Sequence, residues 1–559
     1  MESSDIARLT RESPADRRVA TRQQYSPVII VITALAAAGV VIYAHFLLKP
    51  GTRGDLLPWL LVIAAEGVLV VHALLAMWTM LSATKDPRSY QYWATKERLY
   101  DPSDPERRLI LDGQEVGVEV FVTVYGEPVP VVRRTVEAAL AIRGRHRTWL
   151  LDDGSSEAMR ALAQELGCFY LRRLSSSGAK AGNLNHALTQ AKGGFFCVFD
   201  ADFVPSPEFI EDVLPFFTDD TVAFVQTPQT YGNLHTMIAR GAGYMQTVFY
   251  RFVQPGRNHF NAAFCVGTNV MFRRTAVQEI GGIYADSKSE DVWTSLKLHE
   301  RGWRSTYLAR TLAIGDAPDS IEAYTKQQLR WATGGFEILL RSNPFSRHRH
   351  LTLDQRIMYG ITATHYLTGI APGLLLLVPP MEIYLDLHPV DLSVSVWQWF
   401  AVYAGFYLLQ ILLAFATLGS FRWEVLMLAA VSFPIYVRAF FNALFHREQK
   451  WHVTGSTRGA ASPFNFIIPQ VLAFVFLLVT SLVAVWQIWR QDVVTLGAAW
   501  NITNTLILGT FMAVAWREAR LGRRSVRRSR ATRPVAVEAT SGPLSPVTVP
   551  AVTAREAQS

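Results

Sequence analysis

The segment FFCVFDAD, residues 195–202, places five apolar residues directly before the first of two carboxylates. An unbroken apolar run of this length predicts a strand that is buried on both faces. Three further runs have the same character: 118–125, 148–152 and 168–172. Helix-like segments lie between the runs, at 131–142 and 156–166. This alternation predicts an α/β domain in which helices cover both faces of a parallel sheet.

Acidic residues stand where these predicted strands end. Asp152 and Asp153 close the second run, and Asp200 closes the fourth. Ligands bind beyond the carboxyl ends of the strands in such sheets. Asp200 and Asp202 can face one divalent ion, and a hard ion such as Mg²⁺ or Mn²⁺ offsets the charge of a diphosphate. For this motif taken alone, a solvated turn is the alternative.

Apolar stretches long enough to cross a bilayer flank the predicted domain. Half of the 559 residues are hydrophobic, and the mean hydropathy is +0.16. The predicted spans are 28–48, 57–81, 357–381, 396–418, 466–489 and 498–516. A seventh stretch, 425–445, contains Pro434 and Arg438, and an interfacial position for it keeps every basic segment on one side. The sequence therefore predicts a polytopic membrane protein.

Much of the net charge of +8 lies in arginine-rich tails before the first span and after the last one. Beside membrane spans, such segments mark the cytosolic side and contact anionic lipid headgroups. We therefore expect membrane lipids as partners and no nucleic acid. The three cysteines include no CxxC pair, so we expect neither a disulfide framework nor a thiolate zinc site.

Glu290 and Asp291 open a helical pattern that runs to His299. An acidic first turn interacts favourably with the helix dipole, which is one interpretation of this pair. The functional interpretation is that Asp291 is a general base that takes the proton of an attacking hydroxyl. One carboxylate suffices for an inverting displacement of this kind, whereas a hydrolase also needs a proton donor.

The helical segment 321–340 carries Gln327, Arg330 and Trp331 at spacings of three and four, which places them on one face. An indole can stack on a sugar ring, and a guanidinium can bind phosphate through two hydrogen bonds. An amphipathic helix with its Arg and Trp at the lipid interface is the alternative. Lys180 opens the segment KAGNLNH at a predicted helix start, where phosphate contact is expected.

These motifs, together with TVYGEP at 123–128, VQTPQ at 225–229 and FCVGT at 264–268, resemble those of processive family 2 glycosyltransferases, and within that family those of bacterial cellulose synthase catalytic subunits. The resemblance covers residues 85–345 and, more loosely, the membrane region. It implies a GT-A fold fused to a transmembrane channel. It also implies UDP-glucose as donor, Mg²⁺ (or Mn²⁺) as cofactor and a growing β-glycan as acceptor.

The resemblance further implies roles for individual residues. The nucleotide-sugar would be bound by Tyr125, Glu127, Asp152, Asp153, Lys180, Asp200 and Arg330. The metal would be held by Asp200 and Asp202, and Asp291 would be the catalytic base. The acceptor would be bound by Phe264, Cys265, Glu290, Gln327 and Trp331. A gating loop would contain Trp451, Val453 and Thr454, with Trp451 in place of the family's Phe.

The predicted organisation places the catalytic domain in the cytosol, inserted between transmembrane helices of the inner or plasma membrane. Its parts are a basic tail (1–26), two transmembrane helices (27–84), the GT-A domain (85–350), a channel region (351–517) and a basic, disordered tail (518–559). The channel region includes an interfacial helix at 424–445 and the gating-like loop at 446–463. An auxiliary subunit is compatible with this organisation.

The donor and the product stay open at this stage. The same residues would serve a synthase of hyaluronan or chitin type that uses UDP-GlcNAc, or a synthase of mixed-linkage glucan or mannan. A non-processive membrane glycosyltransferase is a further alternative, as is an inactive membrane scaffold. The intact set of carboxylates favours an enzyme, and the gating-like loop favours a polymer that stays bound.

Overall fold

The computed structural model describes residues 27–83, 86–101, 103–173, 175–447 and 462–531. The strands in these ranges are β1 (Ile110–Leu111), β2 (Gln114–Glu115), β3 (Val118–Val124), β4 (His146–Asp152), β5 (Phe169–Arg172), β6 (Phe195–Asp200), β7 (Val204–Pro205), β8 (Val222–Gln226), β9 (Thr230–Tyr231), β10 (Val270–Arg273), β11 (Arg304–Tyr307) and β12 (Ala313–Gly315).

The α-helices in the same ranges belong to the membrane region at both ends and to the domain between them. They are α1 (Pro27–Leu48), α2 (Leu56–Ser82), α3 (Tyr90–Glu97), α4 (Val129–Leu140), α5 (Glu157–Leu166), α6 (Ala179–Gln190), α7 (Phe209–Val213), α8 (Met237–Val248), α9 (Gln254–His259), α10 (Arg274–Glu279), α11 (Glu290–Glu300), α12 (Ile321–Arg341), α13 (Leu353–Thr364), α14 (Ala371–Leu375), α15 (Val378–Leu385), α16 (Val396–Leu418), α17 (Trp423–Val431), α18 (Phe433–Leu444), α19 (Ile468–Gln491) and α20 (Leu496–Ala531).

A seven-stranded sheet in the order β11-β8-β10-β6-β3-β4-β5 forms the centre of the domain. Strands β6, β3, β4 and β5 are parallel to one another, which confirms the parallel sheet expected from the four apolar runs. Strand β10 lies antiparallel between β6 and β8, so the sheet is mixed. A small sheet in the order β7-β12-β9 lies beside it.

Apolar side chains pack on both faces of the large sheet. Along β3, Val120 and Val122 belong to one buried cluster, whereas Phe121 belongs to the cluster on the opposite face. Successive side chains of a strand point to opposite faces, so a strand buried on both sides must be apolar throughout. This requirement explains the unbroken apolar runs in the sequence.

Among the described residues, six helical stretches are long and apolar enough to cross a membrane, which confirms the six predicted spans by length and composition. They are Pro27–Leu48, Leu56–Ser82, Leu353–Leu385, Trp397–Leu418, Ile468–Gln491 and Leu496–Leu521. The third stretch is interrupted by a 3₁₀ turn at His365–Gly369. Pro372 lies in the first turn of the next helix, α14, and a proline removes a helical hydrogen bond and clashes with the preceding turn.

Helices α17 and α18 meet at a bend of 44° and occupy the ambiguous seventh stretch. A bent pair of this kind is either one broken span or a re-entrant segment, so the interfacial position at 424–445 stays a prediction. The sequence prediction of a disordered tail from residue 518 is wrong for residues 518–531, because α20 continues to Ala531. This segment is rich in Arg and Ala, which are strong helix formers. Residues 532–559 lie outside the described ranges.

The domain packs on the membrane helices mainly through α12, which lies against α18. The Tyr436 hydroxyl of α18 donates a hydrogen bond of 3.0 Å to the Gln328 side chain. Arg240 of α8 donates a hydrogen bond of 2.8 Å to Glu424 of α17. These contacts place the carboxyl ends of the parallel strands next to the membrane region.

Candidate active site

One cavity of about 750 Å³ extends from the carboxyl ends of the parallel strands to the membrane helices. Its lining contains the following predicted site residues: Tyr125, Glu127, Asp153, Lys180, Asp200, Asp202, Phe264, Glu290, Asp291, Gln327, Arg330 and Trp331. They come from seven segments that are far apart in the sequence: four loops, the starts of α6 and α11, and the body of α12. The fold thus brings most of the predicted site together.

Of the predicted site residues that the structure describes, two do not line this cavity. Asp152 is fully buried, and its carboxylate accepts hydrogen bonds from the backbone amides of Gly154 and Ser156 at 2.8 and 2.7 Å. It therefore shapes the turn after β4. Cys265 is also buried, and the hydroxyl of Ser295 accepts a hydrogen bond of 2.8 Å from its backbone amide. Their neighbours in the sequence, Asp153 and Phe264, reach the cavity instead.

Lys180 lies at the start of α6, as the sequence predicted, and its ammonium group pairs with the Asp200 carboxylate. The same group donates a hydrogen bond of 2.7 Å to the carbonyl of Gly267. Although burial opposes it, the charge of Asp200 raises the pKa of Lys180. Lys180 therefore stays protonated inside the cavity, where it forms an ion pair with Asp200.

Asp202 is the carboxylate whose surroundings best fit a cation. Burial and the nearby charges of Asp200, Asp316 and Glu127 raise its pKa to about 8. In the part of the chain that the structure describes, no basic side chain forms an ion pair with Asp202, and no three His, Cys, Asp or Glu side chains are arranged as a complete metal site. Asp200 and Asp202 could hold a divalent ion only if further ligands, such as diphosphate oxygens, complete its coordination.

Glu290 and Asp291 occupy the first turn of α11. The backbone amide of Val292 donates a hydrogen bond of 2.8 Å to the Asp291 carboxylate. Burial raises the pKa of Asp291, partly offset by this hydrogen bond and by the charges of Arg330 and Lys180. Burial and the charge of Asp291 raise the pKa of Glu290 as well. A carboxylate with a raised pKa is a stronger base, which suits it to accept a proton from a hydroxyl.

Helix α12 presents Gln327, Arg330 and Trp331 to the cavity, as their spacing predicted. The guanidinium of Arg330 lies close enough to the carboxylates of Glu290 and Asp291 for its charge to oppose the rise in their pKa values. A cation, an indole and an amide thus line the wall beside the predicted base.

Sequence reasoning assigned no role to three residues that line the same end of the cavity: Asp316, Tyr231 and Gln229, the last residue of the VQTPQ motif. The Tyr231 hydroxyl donates a hydrogen bond of 3.2 Å to Gln229. Asp316 directly follows β12, so it continues the pattern of an acidic residue at the end of a short apolar strand. The segment AIGD at 313–316 carries that signal, but three apolar residues are too short a run to stand out.

Residues of the membrane helices line the other end of the cavity. Helix α2 contributes His72 and Thr79, and the interrupted third span contributes Thr362, His365 and Tyr366. Buried ionisable side chains within membrane helices are costly and tend to be functional. The residues of the expected gating loop, Trp451, Val453 and Thr454, lie outside the described ranges, so that expectation stays a prediction.

Comparisons with known proteins agree with this arrangement. Residues 116–334 match the family described as "Glycosyltransferase like family 2", and residues 277–431 match the family described as "Cellulose synthase". The UDP-forming cellulose synthase catalytic subunit of Xanthomonas axonopodis pv. citri (strain 306) is 36% identical over 266 residues, which are 45% of this chain and 36% of that protein. That of Pseudomonas fluorescens (strain SBW25) is 35% identical over 275 residues, 47% of this chain and 37% of that protein.

The chain thus spans little more than a third of the length of these two curated relatives. Among solved structures, the mannosyltransferase PcManGT from Pyrobaculum calidifontis, in complex with GDP-Man and Mn²⁺, has a TM-score of 0.46 and 16% identity. The match covers 69% of this chain and all of that one. The family match and the mixed sheet confirm the predicted α/β, GT-A-like domain between membrane helices.

Proposed function

We propose that the protein transfers glucose from UDP-glucose to a growing β-1,4-glucan and translocates the product across the membrane, because residues 116–334 match family 2 glycosyltransferases and residues 277–431 match the cellulose synthase family. The observation that carries this proposal is the shared cavity. Its lining includes the predicted base, the carboxylates at the strand ends and polar residues of two membrane helices.

In the proposed reaction, Asp291 takes the proton of the acceptor hydroxyl while the oxygen attacks the anomeric carbon of the donor. A carbon–oxygen bond forms to the acceptor, and the bond from the sugar to the diphosphate breaks with its electron pair on the phosphate oxygen. A single displacement of this kind inverts the anomeric centre. UDP leaves with its negative charge facing Lys180 and Arg330.

Asp200 and Asp202 are the residues that would hold Mg²⁺ or Mn²⁺ beside the diphosphate. A bound ion would supply charge neutralisation for the leaving group. Lys180, whose ammonium group pairs with Asp200, would exchange this partner for a phosphate oxygen of the donor. Tyr125, Glu127 and Asp153, which line the same cavity, would contact the nucleotide. Trp331 and Gln327 would hold the terminal sugar of the acceptor.

The test is synthesis by purified protein in lipid vesicles with Mg²⁺ and separate UDP-sugars. We expect incorporation from UDP-glucose and 1,4-linked glucose upon linkage analysis of the product. Incorporation from UDP-GlcNAc alone would contradict the proposed donor. A product that contains one sugar on a lipid would contradict the proposed polymer.

A further inference from the structure

A buried arginine connects the two parts of the cavity wall that the proposed function assigns to the nucleotide, and it has no role in the reaction as written above. Arg173 is the first residue after β5, and Asp153 is the first residue after β4. The two strands are parallel neighbours, so both residues lie at the same edge of the sheet. Asp153 lines the cavity. Only 11% of the Arg173 side chain and 5% of the Asp153 side chain are exposed.

The guanidinium group of Arg173 donates hydrogen bonds on two sides. Its Nε and Nη2 atoms donate to the two carboxylate oxygens of Asp153, and the bond from Nη2 measures 2.6 Å. Nη2 also donates to the carbonyl of Ala179 at 2.6 Å, and Nη1 donates to the carbonyl of Ser177 at 2.5 Å. A guanidinium holds its N–H groups in one rigid plane. These bonds therefore fix the Asp153 carboxylate relative to the segment that leads into Lys180.

The segment that Arg173 holds has an unusual backbone. Ala179 adopts a φ of +43°, a left-handed conformation that is uncommon for a residue with a Cβ atom. Such a conformation persists when the surrounding structure fixes it, as the hydrogen bond from Arg173 does here. In the first turn of α6, a Cβ atom on Gly182 would clash with the Ser177 carbonyl and with the guanidinium. The segment is therefore packed tightly between Arg173 and α6.

We propose that Arg173 is a positioning residue that holds Asp153 and the start of α6 in the arrangement that binds uridine diphosphate. This inference rests on the proposed function, which assigns Asp153 to the nucleotide and Lys180 to the diphosphate. The ion pair also offsets the charge of Asp153, which would otherwise repel the negatively charged ligand. Each carboxylate oxygen has two lone pairs, so Asp153 can accept a further hydrogen bond from the nucleotide while it is paired with Arg173.

Calorimetric titration of the full-length protein with UDP and Mg²⁺, without acceptor, tests the proposal. Arg173→Gln removes the ion pair, and we expect UDP to bind about 10-fold more weakly. Arg173→Lys keeps the charge but loses the planar fork of N–H groups, so we expect an intermediate affinity. Unchanged affinity in Arg173→Gln would overturn the proposal. If gel filtration shows that Arg173→Gln does not fold, Arg173→Lys decides, and wild-type affinity in that variant would contradict the proposal.

Arg172→Gln is the matched control. Arg172 is the preceding residue in the chain, and its ion pair with Glu157 lies at the surface, where 40% of the Arg172 side chain is exposed. This change removes the same charge one residue away, and the affinity for UDP should stay at the wild-type value. An equal loss of affinity in Arg172→Gln would show that the effect is not specific to Arg173, which would contradict the proposal.

A double-variant cycle shows whether Arg173 acts through Asp153. Asp153→Asn alone should also weaken UDP binding about 10-fold. Because the two side chains are expected to act as one unit, the double variant Arg173→Gln/Asp153→Asn should bind UDP about as weakly as either single variant. A loss of about 100-fold in the double variant, the product of two independent effects, would contradict the positioning role.

Steady-state kinetics with UDP-glucose give a second measure. Arg173→Gln should raise KM about 10-fold and leave kcat within about twofold, because the change affects binding of the donor sugar nucleotide and leaves the base in place. A general structural defect would instead reduce the amount of active protein, which lowers kcat at unchanged KM. That result would overturn the proposal.

These measurements separate the positioning role from the proposed function. UDP binding that depends on Arg173, without polymer formation from UDP-glucose, would support the positioning role and contradict the proposed synthesis. Polymer formation from UDP-glucose with the same KM and the same UDP affinity in wild-type protein and Arg173→Gln would support the proposed synthesis and contradict the positioning role.

Discussion

The two ends of the cavity differ in charge, and this difference fits two separate steps of the proposed function, bond formation and retention of the product. The domain end is lined by seven carboxylates: Glu127, Asp153, Asp200, Asp202, Glu290, Asp291 and Asp316. The membrane end is lined by aliphatic side chains together with hydroxyls, aromatic rings and bases, and the described residues of the membrane helices add no carboxylate to it. Carboxylates can bind a metal ion and accept a proton, whereas the membrane end offers the groups that hold a sugar chain. The proposed function thus assigns bond formation to the domain end and retention of the product to the membrane end.

The largest effect is expected from Asp291→Asn at the domain end. An asparagine has a similar shape but cannot accept the proton, so the transfer rate should fall about 10³-fold. UDP binding should persist, because Asp291 is assigned no contact with the nucleotide. Initial rates with radiolabelled UDP-glucose and calorimetric titration with UDP measure the two quantities. Asp286→Asn, an exposed change shortly before α11, is the control and should leave both unchanged.

The next largest effect is expected from Asp202→Asn. Loss of one metal ligand should lower the transfer rate about 10²-fold, since a metal ion stabilises the leaving charge by several kcal/mol. The Mg²⁺ concentration for half-maximal rate should rise in the variant. In the wild-type protein, a chelator should abolish transfer and added Mg²⁺ should restore it. An unchanged transfer rate and an unchanged Mg²⁺ dependence in this variant would show that Asp202 is not a metal ligand.

The pH dependence of transfer sharpens the assignment of the base. Asp291 works when deprotonated, and burial raises its pKa. Activity should therefore be complete above this pKa and fall about tenfold per pH unit below it, beginning at a higher pH than for an ordinary aspartate. Profiles of kcat/KM against pH measure this limb. If the residual activity of Asp291→Asn falls over the same pH range as that of the wild-type protein, the group that titrates there is not Asp291.

The smallest effect is expected from Thr362→Val at the membrane end. This change removes the hydroxyl that accepts a hydrogen bond from Arg257 of α9, which also lines the cavity, and costs about 1 kcal/mol of local interaction. We expect a decrease of a few fold in mean product length and an unchanged rate of the first transfer. Thr503→Val, at an exposed position of α20, is the control. If Thr362→Val lowered the rate of the first transfer as much as Asp291→Asn does, the two ends of the cavity would not have separate roles.

The sequence predicted the domain end of the cavity well because its signals are local. The apolar runs and the acidic residues after them lie next to each other in the chain, so the parallel strands and most of the site follow directly. Strand β10 was missed, since its place between β6 and β8 depends on pairing with segments distant in sequence. The direction of adjacent side chains was also not predictable, which explains why Asp152 turns inward while Asp153 reaches the cavity.

The membrane end could be predicted only as a set of spans. Hydropathy identifies helices by length, but it does not show which faces meet. The position of Arg257 depends on the close contact of Gly256 with α2 and on a hydrogen bond to α13, both of which are tertiary features. His72 and His365 carried a usable signal, because ionisable residues are rare in apolar spans.

The most direct test of the account is whether one chain of sugar occupies both ends of the cavity. Purified protein in vesicles is incubated with radiolabelled UDP-glucose and Mg²⁺ and is then separated from free sugars by gel filtration in detergent. We predict that labelled, 1,4-linked glycan elutes with wild-type protein, and that Asp291→Asn carries no label above background. Equal labelling of the variant, or release of a product with a single sugar, would contradict the account.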